Sequence, residues 1–221
     1  MNWTVPNILT VMRLFAAPGV AVMFLFFARP YADWFALVLF VVAAITDWFD
    51  GYIAREWNQE SRFGAMLDPI ADKAMVVIAL LVITGFSGMN PWILLPATII
   101  LFREVFVSGL REFLGATSGT LQVTQLAKWK TTAQMVAIAV LFSTGVFEHH
   151  FAERVHGMDV ATIEAILAGA LPDDIGIGAL IWGEQITFLA GTVLLWLAAG
   201  LTGVTGWDYF MKALPFLRDR T

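Results

Sequence analysis

Four aspartates interrupt a chain that otherwise consists of long apolar runs. Asp47 and Asp50 lie at the end of one run, and Asp68 and Asp72 at the start of the next. A carboxylate in or beside hydrocarbon is costly and marks a working site by default. On helices, Asp47/Asp50 at i,i+3 and Asp68/Asp72 at i,i+4 each share a face, and like charges so placed repel strongly in a low dielectric. A polar turn over 57–62 separates the two pairs, so a helical hairpin brings all four carboxylates to one membrane face. A bound cation is the simplest way to make them tolerable. Hard oxygen donors favour Mg²⁺, Mn²⁺ or Ca²⁺ over Zn²⁺.

The apolar runs set the class. The chain is 59% apolar and 14% charged, where soluble domains have roughly 45–50% and about 25%. Its mean hydropathy is +0.75. Stretches of about 20 apolar residues read as transmembrane helices. The expectation is therefore an all-α integral membrane protein, one domain over 1–221, with six transmembrane helices at about 7–27, 34–57, 63–84, 92–114, 124–147 and 185–201. Residues 148–184 read as an extracytoplasmic loop with a short amphipathic helix over 159–170, and 202–221 as a cytoplasmic tail. Pro6 suits the first turn of the first helix, Pro18 is a candidate kink, and Pro69 falls in the first turns of the third helix. The N-terminal run reads as a retained helix, because it has neither a basic cluster nor a small-x-small cleavage site. Of the 13 Lys and Arg, only Arg29 and Arg154 fall on the side opposite the termini. That bias puts both termini and the carboxylate block in the cytoplasm. Cysteine is absent, which excludes disulfides, thiolate metal sites and a Cys nucleophile. No nucleic-acid partner is expected.

A second group of charges lies on the fourth and fifth helices. Arg103 sits inside an apolar run, where it is expensive unless paired. Glu104 points about 100° away on the same helix and is a poor partner for it, but can reach a base on another helix such as Lys130. Arg111 follows Arg103 by slightly over two turns, on nearly the same face. Two arginines and a lysine around one cavity read as a phosphate site. Lys128 joins the group, although positive-inside anchoring also accounts for it and for Arg111. His149, His150 and His156 lie in the polar 148–184 segment and read as ordinary loop side chains rather than metal ligands.

The carboxylate string has the form D-x2-D-G-x2-A-R-x8-G-x3-D-x3-D over Asp47–Asp72, matched at every fixed position and gap. It resembles the signature of the CDP-alcohol phosphotransferase family. The R-E-x3-S-x-L-R-E string from Arg103 and K-x-K-T-x-x-Q-M from Lys128 resemble the phosphatidylglycerophosphate synthase branch, and the likeness covers residues 1 to about 145. The resemblance implies the family fold and transfer of a phosphatidyl group from CDP-diacylglycerol to sn-glycerol 3-phosphate, releasing CMP at the cytoplasmic face of a bacterial inner membrane. It implies Mg²⁺ or Mn²⁺, as two ions, held by Asp47, Asp50, Asp68 and Asp72, with Asp72 as general base. It assigns Asn7, Thr10, Arg13, Gly51, Ala54, Arg55 and Gly64 to the nucleotide and pyrophosphate, and Arg103, Arg111, Lys128 and Lys130 to the acceptor phosphate. Tight helix packing explains the glycines equally well. Lipids surround such a protein. Homodimers are usual in the family, though the sequence carries no interface signal. The alternatives are another acceptor (inositol phosphate, phosphatidylglycerol or serine) or a cation-coupled transporter. A transporter would place its charges near the midplane of repeated halves, and no repeat is visible.

Overall fold

A computed structural model describes residues 4–56, 61–115 and 125–217, with side chains described at all of these but 48, 50–55 and 125–128. The elements are α1 (Val5–Phe26), α2 (Tyr31–Glu56), α3 (Arg62–Phe86), α4 (Pro91–Leu114), α5 (Gln125–Arg154), α6 (Val160–Leu167) and α7 (Ile177–Leu217). No strand occurs among the described residues. Among them, four helices are long and apolar enough to cross a membrane: α1, α4, the Trp129–Arg154 part of α5, and α7. The chain divides into two compact units, Met1–Ala79 with Ala139–Gly191, and Leu80–Ile138 with Thr192–Thr221.

In the first unit, α1 buries Asn7, Thr10, Arg13, Ala17 and Val20. That three-and-four spacing is a single helix face, polar towards the N-terminus and apolar beyond. The answering stripe on α2 is Ala32, Ala36, Phe40 and Ala43. Small residues on such stripes let helices approach closely where lipid offers no hydrophobic drive. A Cβ on Gly19 would lie 3.1 Å from Leu39. Phe40 meets Phe142 of α5 with ring centroids 5.8 Å apart. Above this core, Arg29 Nε donates to the buried Asp33 at 2.8 Å, and Trp34 Nε1 donates to His150 Nε2 at 3.0 Å.

In the second unit, the Asn90 side chain accepts from the Trp92 amide at 3.0 Å and Pro91 takes the first helical position. Both are standard ways to start a helix. Leu110 and Leu114 of α4 pack with Ala213 of α7, and Trp196 Nε1 donates to the Trp92 carbonyl at 3.0 Å.

Three sequence expectations change. The 148–184 segment is largely helical: it holds the end of α5, the short α6 expected over 159–170, and the start of α7. The segment read as a cytoplasmic tail over 202–221 is helical through Leu217, and 218–221 lie outside the described residues. Residues such as Gly203 are tolerated inside membrane helices. Thr205 satisfies its own hydroxyl by bonding back to the Leu201 carbonyl at 2.8 Å. Pro69 lies inside α3 rather than in its first turns, so the chain lacks the amide that would bond the Ala65 carbonyl, between the two aspartates of that helix.

The start of α7 is fixed by Asp173, whose carboxylate accepts from the Ile177 and Gly178 amides at 2.9 Å each. Those amides, Gly178 foremost, hold its carboxyl below the usual range.

Candidate active site

Three helices bring the carboxylate site together. Asp47 comes from the far end of α2, Asp68 and Asp72 from successive turns of α3, and Arg13 from α1. The Arg13 guanidinium lies among all three carboxylates. It pairs with Asp47, donates to Asp72 Oδ1 at 2.6 Å and stands 3.5 Å from Asp68 Oδ1. Thr10, one turn earlier on the same face, donates to Asp68 Oδ1 at 2.7 Å and has the Pro6 carbonyl as its other acceptor. The Arg13 side chain is 5% exposed, while those of Asp47, Asp68 and Asp72 are 43%, 47% and 52% exposed. The cation is therefore the floor of the site, and the acids keep an open side.

Asn7 and Gly64 also meet. Ser61 donates to Asn7 Oδ1 at 2.7 Å and accepts from the Gly64 amide at 3.0 Å. A Cβ on Gly64 would fall 2.8 Å from Asn7 Oδ1, closer than real Cβ contacts come, so the glycine is needed for this approach. Ser61 is absent from the residues singled out by sequence. Its signal was a serine immediately before a helix, three residues ahead of the amide it caps. Asp50, Gly51, Ala54 and Arg55 lie on α2, and Lys128 on α5; their side chains fall outside the described ones.

The donor set has chemistry that suits a hard divalent ion: carboxylate oxygens, each partly exposed around the Arg13 guanidinium. Among the described residues, no three acidic, His or Cys side chains stand close enough to hold an ion by themselves. The spacing of Asp47, Asp68 and Asp72 is instead the one that suits a guanidinium. The residues fit a metal by donor type, with Arg13 sharing the same oxygens.

The second unit assembles the other charge group. Lys130 pairs with Glu104 across helices, as expected. Arg103 Nη1 also donates to Glu104 Oε1, at 3.3 Å, although adjacent residues on one helix are expected to be poor partners. The long arginine stem covers an angle that a backbone projection does not capture. These three side chains are 7–14% exposed. The phenol of Tyr209, in the part of α7 read as tail, accepts from Arg111 Nη2. The guanidinium carbons of Arg103 and Arg111 stand 5.8 and 5.0 Å from the centre of its ring. A Cβ on Gly206 would meet Arg103 Cγ at 2.9 Å, so that glycine lets α7 lie against the arginine stem. Arg103 Nε and Gln134 Oε1 are buried with no hydrogen-bond partner among the described residues. Three cations against one carboxylate leave this group with two excess positive charges.

Comparison with known proteins settles the family. The CDP-alcohol phosphatidyltransferase profile matches residues 3–203. The chain belongs to the CDP-alcohol phosphatidyltransferase family. A protein of Cereibacter sphaeroides named CDP-diacylglycerol–glycerol-3-phosphate 3-phosphatidyltransferase is 63% identical over 219 residues, 99% of each chain. Proteins of the same name from Salmonella typhimurium and Escherichia coli K12 are 44% and 41% identical over 143 residues, 64% of this chain and 78% of theirs. With its apolar helices, this CDP-alcohol phosphatidyltransferase is an integral membrane protein.

Proposed function

We propose that the protein transfers the phosphatidyl group of CDP-diacylglycerol to sn-glycerol 3-phosphate, giving phosphatidylglycerophosphate and CMP. The observation that carries this reading is the 63% identity with a relative of that name across 99% of both chains. The site agrees with it. The first unit offers hard oxygen ligands and a buried arginine suited to a nucleotide pyrophosphate, and the second a doubly positive group, with Lys130 buried and Arg111 exposed, suited to a phosphate dianion. A phosphomonoester carries about −1.5 to −2 at neutral pH, whereas serine is a zwitterion and leaves the excess charge unmatched.

In the mechanism, Asn7, Thr10, Gly64 and the α2 residues Gly51, Ala54 and Arg55 receive the cytidine diphosphate. Gly64 matters because its bare backbone lets the Asn7 side chain lie against it. Asp47, Asp50, Asp68 and Asp72 would hold Mg²⁺ or Mn²⁺, as two ions, and bound metal would supply neutralisation of the pyrophosphate charge. Arg103, Arg111, Lys128 and Lys130 hold the acceptor phosphate, with Glu104 fixing the Lys130 ammonium. Asp72 accepts the proton of the acceptor's 1-hydroxyl. The hydroxyl oxygen then bonds to the β-phosphorus, which bears the lipid. The bond from that phosphorus to the bridging oxygen breaks, and CMP leaves with the oxygen. Direct displacement needs no covalent enzyme intermediate. The chain would lie in a bacterial inner membrane with both termini and the site at the cytoplasmic face, surrounded by lipid and able to form a homodimer.

The test is CMP release by the purified protein with Mg²⁺ or Mn²⁺ and a panel of acceptors. Glycerol 3-phosphate is expected to support release, and inositol phosphate, phosphatidylglycerol and serine are not. Release that depends on one of those three and ignores glycerol 3-phosphate defeats the proposal, as does ion flux in proteoliposomes without CMP release.

A further inference from the structure

The acceptor reading names two arginines and two lysines but leaves open what holds the two arginines together against their own repulsion. We infer that Tyr209 is the positioning residue of the acceptor site: its ring and hydroxyl set the separation and orientation of Arg103 and Arg111, so that their outer N–H edges form one grip for a phosphate. The inference rests on the acceptor reading above and adds a residue from α7 to it.

Three observations carry it. First, both guanidinium carbons lie within 6 Å of the centre of one ring, at 5.8 and 5.0 Å, the range in which an aromatic face attracts a cation. A single ring thus offsets part of the repulsion between two like charges. Second, Tyr209 is 4% exposed, so its place is fixed by packing, and its hydroxyl accepts from Arg111 Nη2. One donor edge of Arg111 is thereby turned inwards, and the fork is held in one rotation. Third, one turn before Tyr209, Gly206 lets α7 lie against the Arg103 stem, where a Cβ would come 2.9 Å from Cγ. The same helix therefore holds one arginine by its stem and both by the ring. Glu104 works from the other side, pairing with Arg103 and Lys130. Arginine differs from lysine in presenting a planar fork that matches phosphate only when its plane is fixed, and Tyr209 fixes that plane without spending negative charge.

The experiment uses the full chain in mixed micelles. CMP release is followed with glycerol 3-phosphate varied at saturating CDP-diacylglycerol, and then the reverse. Tyr209→Phe keeps the ring and loses the acceptor for Arg111; the KM for glycerol 3-phosphate is expected to rise about three- to tenfold. Tyr209→Leu also loses the ring, and a rise of about thirtyfold is expected. In both, the KM for CDP-diacylglycerol stays within about twofold and kcat falls less than the acceptor KM rises. Tyr209→Phe is close to isosteric and keeps the test meaningful if the leucine variant fails to fold. Equal changes in both KM values, or no change in either variant, overturn the inference. Arg103→Ala in the same assay separates the two levels. If it raises the acceptor KM while the Tyr209 variants do not, only the role of Tyr209 is lost. If it too leaves that KM unchanged, the acceptor reading itself falls.

Discussion

Replacing Arg13 by Gln removes a cation that bonds to Asp47, Asp68 and Asp72 together. Breaking a buried pair by deleting one partner costs about 3–5 kcal/mol when the other charge stays buried. Here the arginine is buried but the three carboxylates are 43–52% exposed, so water relieves much of what is left behind. Solvent screening of that kind reduces the loss to about 2–3 kcal/mol. For a chain of this size each kcal/mol moves the unfolding midpoint by roughly 2–4 °C, so the variant should unfold roughly 4–12 °C below the parent. The nine tryptophans give the signal, as a fluorescence melt in detergent. Adding millimolar Mg²⁺ should narrow the gap, because the carboxylates regain a counter-charge and a ligand at 100 times its Kd contributes about 2.7 kcal/mol. Arg13→Lys, which keeps the charge and loses the fork, should fall between the two. Equal melts for parent and Arg13→Gln would show that the carboxylates do not depend on the arginine. A gap that Mg²⁺ leaves unchanged would show that those oxygens do not take the ion.

Asp72→Asn should lower kcat by at least about a hundredfold, the usual weight of a positioned base, while CDP-diacylglycerol affinity changes far less; full activity would remove Asp72 from the chemistry. Gly64→Ala pushes a methyl group against Asn7, 2.8 Å away, and overpacking of that kind costs about 1–3 kcal/mol. The KM for CDP-diacylglycerol should rise while that for glycerol 3-phosphate holds, and a matched rise in both would point to general misfolding. Glu104→Gln leaves Lys130 and Arg103 without a carboxylate and should lower the melting midpoint, with added glycerol 3-phosphate restoring part of it; an unchanged midpoint refutes the pairing as a source of stability. Asp173 has a folded pKa below its unfolded one, so its support of α7 is present above about pH 4 and fades as the pH falls through the lowered value. Exchange of the Ile177 and Gly178 amides, corrected for intrinsic rate, should speed up there, and Asp173→Asn should remove that pH dependence.

Apolar runs reveal where long helices lie, because a residue in lipid must satisfy its backbone internally and a helix does so from local sequence alone. They were weaker at helix ends. α7 continues to Leu217 past Gly203 and Gly206, residues that weaken helices in water, and Gly206 packs against the Arg103 stem. Losing that stretch also lost Tyr209. The shared face of Asn7, Thr10 and Arg13 was legible as a spacing, and all three are indeed buried on α1. Their partners were not, since the meeting of Arg13 with acids 34 and 59 positions away belongs to tertiary packing. Glu104 and Lys130 were matched correctly because a buried base needs an acid and few were on offer.

The position of Arg103 along α4 has a further consequence. It follows Trp92, a 65% exposed tryptophan at the helix start, by eleven residues. Taking that tryptophan as the water boundary, the rise of the helix places Arg103 roughly 16 Å along the helix from it, inside a hydrocarbon layer of about 30 Å. An acceptor that reaches it must leave bulk water and shed its hydration shell. On the acceptor reading proposed above, recognition at that depth would be governed by dehydration: a molecule whose charge is fully matched on arrival would be admitted, and one left with an unmatched charge turned away. The long-range attraction that steers ligands to basic patches on a protein surface, and that salt weakens within about 8 Å, has little part in such a choice.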